Sequence, residues 1–259
     1  QMTFYWLLIM EALLLRAEKI FVSKDETMSP CSGCLKSNSF LEALDRAFHG
    51  DENYFIFLDD NFHIDSAAIK LFLDGKTIQS LHFTESLTEV GRDILIKGNK
   101  MSEIFFYEQP ISININKIKI NIENIHLIFT KQFSQMQNFN CFFCLMVSKE
   151  YLGSIILKNS HISFNSSWKN ELSDYKQNYS FFELSGSNFI LKIENTSIFT
   201  HSYEIFKNLA IALPMEKHLI GERGFFLKNV QIKGDYASTV LISYFLDMIV
   251  EMISVTIYN

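Results

Sequence analysis

One line recurs along this chain and restricts its fold more than any other feature. Asn188 to Thr200 reads N-F-I-L-K-I-E-N-T-S-I-F-T, and Gly153 to Phe164 reads G-S-I-I-L-K-N-S-H-I-S-F. Arg223 to Gly234 reads R-G-F-F-L-K-N-V-Q-I-K-G, and Ile115 to Phe129 reads I-N-K-I-K-I-N-I-E-N-I-H-L-I-F. Each version has an alternating apolar segment, an Asn, two residues and a second alternating segment. The repeat Asn stands at Asn124, Asn159, Asn195 and Asn229, a period of about 35 residues, within the range of solenoids. Alternation puts Ile, Leu and Phe on one face of a strand and Lys, Glu or Asn on the other. A single segment cannot bury its own apolar row, so the copies must stack on one another. Two roles suit the repeated Asn. It can bond to its copies as a ladder, or it can sit at a turn, where Asn tolerates left-handed backbone angles.

The last copy is shorter. Leu246 to Ile257 fits the line with Met252 in the Asn place, 23 positions after Asn229. A coil then needs only about 23 residues, and the longer spacings carry excursions such as Asn165 to Asn178 and Ala210 to Glu222. Two solenoids compete. A leucine-rich repeat also contains L-x-L-x-x-N, but it wants Leu at set places. Here the apolar positions are mostly Ile and Phe and the return segments read as strands. The expected fold is therefore all-β, a parallel β-helix, with a leucine-rich-repeat-like solenoid as the alternative. Apolar residues make up 48% of the chain and Phe numbers 25, enough to fill a long interior. A net charge of −6 and the absence of any Lys/Arg cluster exclude nucleic acid as a partner.

In chain order, Met2 to Leu15 is an apolar run too short to span a bilayer, and it fits the core of a signal peptide over residues 1–17. Glu11 interrupts the run and no Lys/Arg precedes it, so a segment packed on the body of the protein is the alternative, which would make the protein intracellular. Residues 18–38 form a polar lead-in, with Ser23 to Asn38 read as loop. Apolar residues at 40, 41, 44, 47 and 48 predict a helix over Ser39 to Phe48, with Ser39 and Glu42 as a capping box and Gly50 as its stop. Such a helix can cover the open end of a solenoid spanning residues 39–259. Strands are expected at Asn53 to Phe57, Thr77 to Phe83, Asp93 to Lys97 and Glu103 to Tyr107, with a short helical turn at Ala67 to Leu73. The chain stops inside a repeat, which suggests the front part of a longer protein.

Four cysteines form two C-x-x-C pairs, Cys31/Cys34 and Cys141/Cys144. Paired motifs make a zinc site when a short knuckle separates them, but here more than a hundred residues intervene. Cys141 and Cys144 would also face opposite sides of a strand. Disulfides in a secreted chain, or small buried side chains, are the expected roles.

Cys31-Ser32-Gly33-Cys34, the segment Phe40 to Phe48, Gly50-Asp51 and the strand Tyr54 to Leu58 together resemble the start of pectin-lyase-like right-handed β-helix proteins. The likeness is greatest to large surface or secreted β-helix proteins of ciliates and related protists. It covers roughly residues 30 to 259 and implies a right-handed coil and an extracellular setting. Enzymes of that family act on acidic polysaccharides through paired Asp with nearby His and Arg/Lys, in motifs N-x-D, D-D, G-H-G and R-x-K. This chain has Asp59-Asp60 at an early turn, no G-H-G and no R-x-K. Paired carboxylates suit glycosidic cleavage, but a solvated turn is the plainer role here. The seven His are scattered and make no i, i+4 metal pair, and no G-x-S-x-G is present.

Three sequons occur, at Asn165, Asn178 and Asn195. The first two lie in a polar excursion and suit a glycan better than Asn195, which belongs to the repeat line. The sequence therefore predicts a non-enzymatic extracellular or cell-surface scaffold for adhesion, assembly or glycan contact, with carbohydrate or other surface proteins as partners. No catalytic residue, cofactor or metal is assigned. A polysaccharide lyase or glycoside hydrolase is the alternative.

Overall fold

A computed structural model describes residues 17–25, 33–74, 81–84, 91–107, 111–115, 117–129, 141–145, 153–164, 180–185, 189–200, 204–209, 224–234 and 249–258. Strands dominate them. The larger sheet holds β1 (Glu18–Val22), β2 (Leu35–Ser37), β3 (Tyr54–Leu58), β4 (Phe62–Ile64), β6 (Asp93–Phe106) and β8 (Lys119–Phe129). It continues through β10 (Gly153–Lys158), β11 (His161–Phe164), β13 (Phe189–Thr200), β15 (Gly224–Gly234) and β16 (Ile249–Tyr258). The smaller sheet holds β5 (His82–Thr84), β7 (Ser112–Ile115), β9 (Cys141–Leu145), β12 (Ser180–Ser185) and β14 (Glu204–Leu209). From β4 to β15 the chain crosses from one sheet to the other and returns one place further along. The described pairings are all parallel, as such crossings require.

Register explains the sequence pattern. Ile20, Ile56, Ile96, Ile122, Leu157, Ile193, Leu227 and Met252 are consecutive partners across the larger sheet. Phe62, Ile104, Leu127, Ile162, Ile198, Ile232 and Ile257 form a second such row. Both rows are buried except at their last members in β16. Every alternating segment thus lends its apolar face to one continuous interior.

The Asn between the two rows is where the strand bends. Asn124, Asn159, Asn195 and Asn229 have φ of 57°, 47°, 48° and 53°, the left-handed region that Asn enters at least cost among residues with a side chain. Asn159, Asn195 and Asn229 also form a ladder: Asn195 Nδ2 donates to Asn159 Oδ1 at 3.1 Å, and Asn229 Nδ2 donates to Asn195 Oδ1 at 2.9 Å. Both roles read from the sequence therefore hold. The place assigned to Met252 is corrected. Met252 partners Leu227 in the apolar row, and Ser254, at φ 53°, takes the bend. Lys100 takes it in β6 at φ 62°. The spacing is 24 from Lys100 to Asn124 and 25 from Asn229 to Ser254.

Two helices occur among the described residues, α1 (Phe40–His49) and α2 (Ser66–Leu73). Ser39 caps α1 by accepting from Glu42 N. Its buried face is Phe40, Leu41, Ala43, Leu44, Ala47 and Phe48, set against β1, β2, β3 and β5. It therefore touches early strands of both sheets and covers the apolar space between them. Gly50 does end α1, but for a reason the sequence did not show. Its φ is −77°, open to any residue, while a Cβ there would lie 1.8 Å from the Tyr54 hydroxyl. Space, not backbone freedom, requires the glycine. The lead-in also differs from expectation. β1 and β2 belong to the larger sheet, so residues 35–37, inside the segment Ser23 to Asn38 expected as loop, are strand, and β1 lies just before that segment.

Candidate functional site

The two outward rows that flank the bend in the larger sheet carry most of its chemistry. Before the bend, Lys97, Glu123, Lys158, Glu194 and Lys228 are successive partners. Charge alternates strand by strand, so each residue meets its opposite sign. Lys97 Nζ lies 3.5 Å from Glu123, and Lys158 Nζ lies 3.8 Å from Glu194. Glu194 also holds Lys192 at 3.0 Å. Burial pushes the Glu194 carboxyl up. The Lys192 hydrogen bond and the charges of Lys192, Lys158 and Lys228 outweigh it, and the net value falls below the ordinary range.

After the bend, the row is polar and hydrogen-bonded. Asn61 Nδ2 donates to Glu103 Oε2 at 3.2 Å, and Glu103 N donates to Asn61 Oδ1 at 2.9 Å. Glu103, His126, His161, Ser197 and Gln231 are then successive partners. Glu103 Oε1 lies 3.5 Å from His126 Nδ1, and Ser163 Oγ lies 2.9 Å from His126 Nε2. The His126 and His161 rings meet edge-on with centroids 5.6 Å apart, and His161 Nδ1 bonds Ser197 Oγ. Beside this row, His63 stacks on Phe105 at 4.7 Å and bonds the Tyr107 hydroxyl at 2.7 Å.

Burial and the neighbouring His161 lower the His126 pKa, and Glu103 only partly restores it. The groups facing its ring are Glu103 on one side and His161 and Ser163 on the other. A lowered value means that the unfolded chain binds the proton more readily. Stability from neutral His126 is therefore complete above about pH 6.5, the ordinary imidazole value, and declines below it until the folded form protonates as well. Between pH 7.5 and 5.5 the urea midpoint of the wild type should fall more than that of His126→Gln. Parallel curves for the two proteins would remove this role.

The residues singled out in the sequence are placed differently. Asp59 Oδ1 accepts from Asn99 Nδ2 at 2.6 Å, while Asp60 Oδ2 accepts from Ser23 Oγ at 3.0 Å and Lys24 N at 2.6 Å. Both carboxylates tie neighbouring segments to the turn. Cys34 is disulfide-bonded. Cys31 and the side chains of Cys141 and Cys144 lie outside the described residues, as do the 1–16 segment, Asn165 and Asn178. Asn195 is exposed, but the amide nitrogen a glycan would take is donated to Asn159. Among the described residues no three His, Cys, Asp or Glu converge on a metal position, and no helix is long and apolar enough to cross a membrane.

Helical i, i+4 spacing does not show the histidine row, because its members lie on successive strands. Its signal was the repeat itself. Asn124-Ile125-His126 and Asn159-Ser160-His161 place each His two residues after the bend, and Ser197 and Gln231 follow Asn195 and Asn229 in the same way. No family model, curated protein or solved structure matches this chain.

Proposed function

We propose that this chain is a right-handed parallel β-helix that serves as an extracellular or cell-surface scaffold for adhesion, assembly or glycan contact, and does not cleave polysaccharide. The observation that carries the reading is the pairing of the outward rows. Lys97 pairs with Glu123 and Lys158 with Glu194 along the sheet, and the side chains from Asn61 to Ser197 contact one another in succession. Charged side chains committed in this way make a rigid, level surface. A polysaccharide-cleaving groove instead needs carboxylates converging on a sugar bond. The right hand follows from the rule that parallel strands joined by crossovers are right-handed in nearly all cases. Glycan contact is supported by His63, Phe105 and Tyr107, a ring cluster beside the hydrogen-bonded Asn61 and Glu103.

Immobilised full-length protein, presented with acidic and neutral polysaccharides, tests this. Retention without new reducing or unsaturated ends is expected, weakened at least tenfold by Phe105→Ala with Tyr107→Ala. Release of shortened chains would overturn the scaffold reading in favour of a lyase or hydrolase. Failure to retain any polysaccharide would remove glycan contact and leave protein partners.

A further inference from the structure

We propose that Ser163 is an activated nucleophile, with His126 as its general base and Glu103 as the carboxylate that positions the base, and that this face transfers acyl groups from esters with good leaving groups. The inference does not depend on the scaffold reading. It rests on a nucleophile within hydrogen-bond reach of a base that is itself oriented by a third group, the arrangement that marks an activated hydroxyl.

The three residues come from three different strands. Glu103 lies on β6, His126 on β8 and Ser163 on β11, and the parallel register brings them together. With the carboxylate at Nδ1, the imidazole keeps its proton on that nitrogen. Nε2 then presents a lone pair to the Ser163 O–H, which donates to it at 2.9 Å. The His126 pKa is held down, so the ring is neutral and able to accept at neutral pH. The neighbouring His161–Ser197 pair lacks this arrangement. Ser197 is only 9% exposed, and the residue across from its base His161 is His126, not a carboxylate.

Ser163 Oγ would attack the ester carbonyl carbon, forming a C–O bond while its proton passes to His126 Nε2. The bond to the leaving oxygen breaks, and that oxygen takes the proton from His126, or it departs as a phenolate and His126 gives the proton to solvent water. Water then repeats the sequence on acyl-Ser163, releasing the acid and restoring the hydroxyl. Among the described residues, His161, Ile162 and Ser163 of β11 pair with β8 on one side and β13 on the other, so their N–H groups serve the sheet and not an oxyanion. Activated esters are within reach of such a site and amides are not. Ser163 partners Ile128 on one side and the 37%-exposed Phe199 on the other, with Phe105 beyond Ile128. That apolar strip suits an uncharged acyl group.

The test uses the full chain, a fluorophosphonate probe and p-nitrophenyl butyrate. An adduct at Ser163 is expected by mass spectrometry, with a labelling rate that falls about a hundredfold or more in His126→Gln. The rate should rise with pH through the His126 titration. In Glu103→Gln that inflection should move to lower pH, because Glu103 raises the His126 value; a purely structural role would not move it. If His126→Gln fails to fold, Ser163→Cys decides. Its alkylation by iodoacetamide should show thiolate reactivity below the ordinary cysteine pKa of about 8.5. Absence of a Ser163 adduct, labelling that is indifferent to His126→Gln, or an ordinary thiol profile at Cys in that place would each overturn the proposal.

Discussion

Phe129→Ala is expected to cost about 3–5 kcal/mol, the range for removing a buried aromatic ring. Phe129 is fully buried in β8 and stacks on Phe106 of β6 at 4.9 Å. It meets Phe142 of β9 edge-on at 5.3 Å and Phe181 of β12 at 5.9 Å. One ring therefore joins strands of both sheets across the interior. A void lined by its neighbours Phe106 and Phe142 measures only about 20 Å³, and in an interior packed this closely relaxation cannot refill the space of a lost phenyl group. Phe129→Leu should cost much less, because most of the volume stays. Phe105→Ala is the contrast: the same residue type on the outward face of β6, half-buried, should cost far less. Urea midpoints of the three variants check the order. If Phe129→Ala and Phe105→Ala were equal, the interior assignment of the aromatic rows would be wrong.

How much of this was readable beforehand depends on whether a feature is local in sequence. The rows through Ile193 and Ile198 were legible because alternation within a segment reports which side chains share a face. The bend at Asn195 was legible because an Asn between two alternating segments has few other uses. Leu191 and Ile193 on the strand with Asn195 at the corner is what the structure shows. The last copy was misaligned by two residues because Met252 and Ser254 are both uncharacteristic of the Asn place. Register with β15 settles it, since Lys228 partners Ile253 and Val230 partners Val255. The histidine row needed still more, because Glu103 enters it only through an irregularity. Between Lys97 and Ser102, β6 carries four residues where β8 carries one, Asn124. No spacing rule places Glu103 beside His126 until that bulge is known. Gly50 and Arg92 belong to the same class. Their roles are set by residues distant in sequence or by available space, not by neighbours in the chain.

Arg92→Met is expected to destabilise the protein by roughly 3 kcal/mol, from two buried acceptors that each cost about 1–3 kcal/mol when unpaired. Arg92 is 3% exposed. Its Nη1 donates to Ala47 O at 3.2 Å and its Nη2 to Phe48 O at 3.1 Å. These are carbonyls of the last turn of α1, where no following residue of the helix can bond them. The guanidinium thus supplies the missing donors and places positive charge at the negative end of the helix dipole. Its own backbone ties it to the sheet, since Lys119 N donates to Arg92 O at 2.8 Å. A planar fork with two separate donors reaches both carbonyls, and a lysine ammonium cannot reproduce that geometry. Arg92→Lys should therefore recover only part of the loss. Because the contact lies where α1 covers the interior, hydrogen exchange should accelerate first in the last turn of α1, and amides of β13 and β15 should change least. Uniform acceleration along the whole chain would mean that the helix and the strands unfold as one unit, and that Arg92 supports more than the end it touches.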